Sequence, residues 1–72
     1  MSMRYAIVIE QTDANYGAYV LDLPGCIATG ATVEEVERNI RSAIELHLAG
    51  MREDGEPIPA PSSQVEYVDV AA

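Results

Sequence analysis

Residues 32–53, Thr32-Val33-Glu34-Glu35 and onward as TVEEVERNIRSAIELHLAGMRE, decide the fold. Thr32 is a hydroxyl side chain standing just ahead of an apolar-periodic run, and Glu35 follows three residues later. That spacing is a capping box, in which each side chain satisfies a backbone N–H that a helix start leaves free. Glu34, Glu35 and Glu37 crowd the first turns, where the helix dipole favours negative charge. Val33, Val36, Ile40, Ile44, His47 and Met51 then recur at spacings of three or four, which predicts one apolar face running to about Glu53. Glu34 with Arg38, and Glu37 with Arg41, are i,i+4 pairs on the outer face, each with the acid N-terminal. Asp54-Gly55 and Pro57 stop the helix.

Upstream, the periodicity changes to that of strands. Met3–Glu10 and Tyr16–Leu23 are rich in aromatic and β-branched residues, and the polar link 11–15 between them suits an antiparallel hairpin. Leu23-Pro24-Gly25 then redirects the chain. Pro24 fixes its own φ and pushes Leu23 towards extended geometry, while Gly25 permits positive φ. Cys26–Thr29 reads as a short third strand. Downstream of the helix, residues 55–61 carry three prolines and are extended. Gln64–Val70 reads as a last strand. The expected fold is α+β: a single small domain over residues 1–72, ordered β-β-β-α-β, with an antiparallel sheet and one helix on one face.

One helix of about 20 residues is about 30 Å long and covers one face of a small sheet. The strands, however, are apolar at both parities. Tyr5, Ile7 and Ile9 oppose Ala6 and Val8. Tyr19, Leu21 and Leu23 oppose Tyr16, Ala18 and Val20. A face open to water alternates with polar residues instead. A second copy of the chain is the economical cover, so a homodimer or higher homo-oligomer through the sheet is expected. The size agrees, since a chain of 72 residues buries only about 60% of the surface its unfolded form exposes.

Charge narrows the partners. Four arginines and no lysine face twelve carboxylates, for a net charge of −8. Such a surface repels phosphate backbones and disfavours direct nucleic-acid binding. It suits a basic protein and speeds that encounter. The lone cysteine forms no internal disulfide, the start MSMRYAIVIE lacks the build of a secretory signal, and no apolar stretch nears the ~20 residues that span a bilayer. A cytoplasmic location, with no membrane association, is expected by elimination.

Reactive groups are few. His47 is the only histidine and sits on the helix's apolar stripe, where a core-edge role outweighs catalysis or metal binding. Cys26, after Pro24-Gly25, reads as a small buried thiol, because a nucleophilic cysteine needs a base or a lowered pKa. Glu10, Asp13 and Asp22 flank the hairpin. Carboxylates of this kind hold divalent metals in nucleases, but their spacing matches no metal-site pattern. They are instead the candidate partner-binding residues, on charge alone. No cofactor, metal or catalytic set is expected. A binding module is favoured over an enzyme, with an orphan oligomeric scaffold or a metal-dependent nuclease as alternatives.

The segments Asp22-Leu23-Pro24-Gly25-Cys26, Gly30-Ala31-Thr32-Val33-Glu34-Glu35, Asn39 to Leu46 and Gly55-Glu56-Pro57-Ile58-Pro59 occur in an order that resembles the HicB-type antitoxins of type II toxin–antitoxin systems. The likeness covers nearly the whole chain. It implies a partly RNase H-like fold, and an antitoxin that neutralises a small basic RNA-cleaving HicA-type toxin by blocking its RNA-binding face. Many members of that family carry a C-terminal DNA-binding domain. The sequence shown stops after the last expected strand, as a short form lacking that domain would.

Overall fold

The computed structural model describes residues 3–72 and is built around helix α1, Val33–Glu53, which lies across a three-stranded sheet. The strands are β1 (Ile7–Gln11), β2 (Tyr16–Val20) and β3 (Ile27–Gly30), antiparallel and in the order β1-β2-β3. Each is therefore the neighbour of the one before it. α1 packs on β3 and β2.

Both ends of α1 are set by local chemistry. The Thr32 hydroxyl accepts from the Glu35 N–H at 3.1 Å, which is the N-cap half of the expected box. At the other end Gly55 takes φ +69°. There the Glu56 N–H donates to the Met51 carbonyl at 2.9 Å and the Gly55 N–H to Arg52 at 3.2 Å. This pair of bonds is a Schellman closure, and a positive φ at its glycine is what permits it.

Register assigns the two faces of the sheet. Ile7 stands opposite Val20, Ile9 opposite Ala18, and Ala18 opposite Ala28. These residues face α1 and join the core, whose fully buried members include Leu23, Val36 and Ile40. Each such side chain contributes about 1.5–3 kcal/mol by leaving water. The helix turns its buried stripe through Val36, Ile40 and Leu48. Leu48 takes the inward place that the spacing argument gave to His47, and His47 sits half-buried at the edge.

β2 stops at Val20, earlier than the apolar run suggests, because residues 21–26 curl. The Leu23 N–H donates to Val20, the Cys26 N–H to Leu23 at 3.1 Å, and the Val20 N–H to Cys26. With Pro24 and Gly25 at the centre, and Gly25 at φ +83°, this is the pattern of a type II turn. It swings Leu23 into the core against the strand alternation. β1 likewise starts at Ile7, four residues later than expected, and β3 runs one residue later.

The expected last strand, Gln64–Val70, is absent. Residues 56–72 have no regular structure, so the order is β-β-β-α. A strand exists only with a neighbour's N–H and C=O groups to pair with. The preceding residues are fixed elsewhere: Ile58 packs on the core, the Tyr5 hydroxyl donates to the Pro59 carbonyl at 2.5 Å, and Ser62 and Ser63 bind Asp22. The chain beyond them meets no sheet edge of its own.

Sheet and helix approach closely at Gly30. A Cβ there would lie 2.6 Å from the Val36 nitrogen and 2.9 Å from its Cα, and backbone atoms cannot rotate aside. Gly30→Ala is expected to cost about 2–3 kcal/mol, read as a lowered urea midpoint with an unchanged slope. Gly17→Ala, where a Cβ meets nothing within 4 Å, is the control and changes the midpoint little.

Candidate protein-binding surface

The face of the sheet turned away from α1 carries an apolar row. Val8 pairs with Tyr19, and Tyr19 with Ile27, so these three side chains form one row across all three strands. Ile27 is 68% exposed, and Tyr19 and Leu21 are about two-fifths exposed. The adjoining row, Glu10–Gly17–Thr29, carries the polar residues of this face. The expected second apolar face is present in that one row, where Tyr19 and Ile27 are exposed and Val8 is half-buried.

The three acids singled out by charge do not form one cluster. Asp13 lies in the β1–β2 turn and Glu10 beside it near the end of β1, both exposed. Asp22 lies in the turn after β2, at the opposite end of the sheet. A five-residue strand separates the two ends by roughly 17 Å. Asp22 is also engaged inside the chain. Its Oδ2 accepts from the Ser62 and Ser63 N–H groups at 2.9 and 3.0 Å, and its Oδ1 from their hydroxyls at 3.1 and 2.8 Å. The backbone donors of Ser63 and then Ser62 hold the carboxyl down to about 2, from an ordinary 3.8. Asp22 is thus a clamp on the segment that follows the helix. The DLPGC motif hints at a turn but says nothing of a partner forty residues away.

Cys26 is a buried free thiol, and burial pushes its pKa up, which lowers its thiolate fraction and its nucleophilicity. Among the described residues, no group of three or more His, Cys, Asp or Glu side chains is placed to hold a metal ion. No described helix is long and apolar enough to cross a membrane.

A second feature went unread in the sequence. An open groove of about 770 Å³ runs between the unpaired edge of β1 and α1. Tyr5, Ile7, Ile40, Ile44 and Leu48 line it, and so do Arg4, Arg41 and Arg52. Three of the four arginines of an acidic chain converge there. The grouping depends on tertiary placement, since 48 positions separate the first from the last.

Residues 5–71 match the family model described as a HicB-like antitoxin of a bacterial toxin–antitoxin system. A 14.9 kDa protein of the rep–hol intergenic region of Haemophilus phage HP1 is 37% identical over 67 residues, covering 93% of this chain and 50% of that protein. The chain thus spans about half the length of that relative. A UPF0150 protein of Helicobacter pylori is 45% identical over 47 residues, 65% of each chain. One of Archaeoglobus fulgidus is 40% identical over 57 residues, 75% of this chain and 83% of that one. Among solved structures, a chain of a HicA3 and HicB3 toxin–antitoxin complex superposes with a TM-score of 0.72 at 28% identity, over 83% of this chain and 70% of that one.

The Asp22 clamp makes a prediction in pH. Its carboxyl titrates lower folded than unfolded, so its contribution is complete above the ordinary value near 3.8 and is lost as pH falls towards 2. The carbon-13 shift of the Asp22 carboxyl should titrate near the lower value, with the Ser62 and Ser63 amide resonances moving in step. Asp22→Ala should abolish that step and speed amide exchange at both serines at neutral pH. Slow exchange in that variant would show that something else holds the segment.

Proposed function

Because the chain belongs to the HicB-like antitoxin family of bacterial toxin–antitoxin systems, we propose that it is an antitoxin that binds and neutralises a small, basic, RNA-cleaving toxin of the HicA type by covering its RNA-binding face. The observation that carries this reading is the match of family and fold together: residues 5–71 fit the family model, and the backbone superposes on a chain of a toxin–antitoxin complex. Residues 1–72 act as one HicB-like domain, and the role is binding, not catalysis.

Charge supports the partner's chemistry. A protein that grips RNA presents cations to phosphates, and a net charge of −8 competes for those cations. Exposed acids gathered at the end of the sheet that holds the β1–β2 turn and the start of α1, Glu10, Asp13 and the first-turn Glu34, steer the approach. Glu10 and Asp13 are the contacts we assign from charge. Asp22 acts as the clamp and reaches a partner only through the segment it holds.

A further reading concerns self-association. Tyr19 and Ile27 of the Val8–Tyr19–Ile27 row are exposed, and the chain exposes 5682 Å², where a compact monomer of its mass exposes about 4,400 Å². The excess is on the scale of a standard protein interface. The chain is a homodimer or higher homo-oligomer in the cytoplasm.

Co-expression decides the first reading. A basic protein from the adjacent reading frame should arrest growth alone and not when this chain is made with it. The purified pair should associate about tenfold faster at low salt than at physiological salt. Absence of both binding and rescue would refute the antitoxin reading.

A further inference from the structure

The segment after the clamp has the composition of a strand and the surroundings of none. Val65, Tyr67, Val68 and Val70 lie within six residues, and Tyr67 is 93% and Val68 and Val70 each 80% exposed. Valine and tyrosine favour pleated, half-buried surfaces, and a run of them in water is costly unless something pairs with it. Across the molecule, β1 has one edge bonded to β2 and the other unpaired. That edge, Ile7-Val8-Ile9-Glu10-Gln11, carries no proline, lysine or bulge of the kind that protects exposed edges. Beside it lies the groove with its apolar lining and three arginines, and no residue beyond Arg52 lines it.

We propose that residues 64–70 of one copy add as a fourth strand to the β1 edge of a second copy, filling the groove between β1 and α1. The proposal rests on the self-association reading above and specifies its mechanism. Length agrees: seven extended residues span roughly 23 Å, enough to cover a five-residue strand. Charge agrees as well. Glu66 and Asp69 lie on opposite faces of such a strand, so Asp69, on the face of Val65 and Tyr67, is the acid that meets the groove, where Arg4, Arg41 and Arg52 outnumber Glu37 and Glu45. Asp22 holds Ser62 and Ser63 near the start of β1, where the Leu21 N–H donates to the Ala6 carbonyl. Beyond that point residues 64–70 stay off the edge of their own β1, with no ladder and with Tyr67, Val68 and Val70 exposed, which leaves the edge to a second copy. Reciprocal exchange between two copies closes as a two-fold dimer and gives both segments their missing ladder.

Light scattering and sedimentation equilibrium on the full chain, without any toxin, test this. The wild type should be a dimer at micromolar concentration. Val68→Pro, which removes a donor from a strand exposed in the single chain, should be a monomer with unchanged helical circular dichroism. Arg41→Glu should raise the dimer dissociation constant about tenfold, and adding Asp69→Arg to it should recover part of the loss. In a dimer mixed from two isotope labels, contacts from residues 64–70 to β1 should run between chains. A monomeric wild type sinks both self-association and strand addition. A dimer that survives Val68→Pro but is lost in Tyr19→Glu sinks strand addition alone and leaves packing through the open face. Contacts from 64–70 to β1 within one chain overturn the exchange.

Discussion

The missing side chain at Gly30 sets the geometry of the molecule. Where β3 ends, its backbone lies against the first turn of α1 so closely that not even a methyl group fits. Two residues later Thr32 caps the helix. The helix axis is thereby fixed over β3 and β2 within a link of two residues. Val36 and Ile40 are driven onto Ala18, Val20 and Leu23, which closes the core. With one helix to place and one tight approach to place it, the chain can cover only one side of its sheet. The open row on the other side follows from that geometry, as does the groove along β1, where α1 leans away from the edge.

Much of this was legible in the residues, because it rests on local signals. The N-cap at Thr32, the positive φ at Gly25 and the stop at Gly55 are each decided by a few neighbouring residues. The hairpin and the α+β class follow from the change in period on either side of Thr32. The failures are non-local. Gln64–Val70 has every compositional mark of a strand, but composition cannot supply the neighbour a strand needs. The inward place of Leu48 depends on how the helix is rotated over the sheet, which spacing alone leaves open by one position. Leu23 turns inward only because a turn of three hydrogen bonds breaks the alternation.

The binding surface was legible in the same uneven way. Apolar residues at both strand parities announced an uncovered face, and the row Val8–Tyr19–Ile27 is that face. Charge singled out Asp22 for its sign, but its partners, Ser62 and Ser63, lie forty residues on, and no spacing argument connects them. The arginines of the groove come from the approach to β1 and from three turns of α1. They are scattered in sequence and adjacent only once the helix is down.

The neighbour relations carry a temporal consequence. β1 touches β2, β2 touches β3, and α1 lies on the strands made just before it. No pairing waits for a distant piece of chain, so little loop-closure entropy delays collapse, and such topologies fold early and fast. As the polypeptide leaves the ribosome at about 5–20 residues per second, the buried cluster is complete once Leu48 has emerged, and Ile58 packs on it afterwards. The last twenty or so residues are then threaded onto a body that has already taken shape.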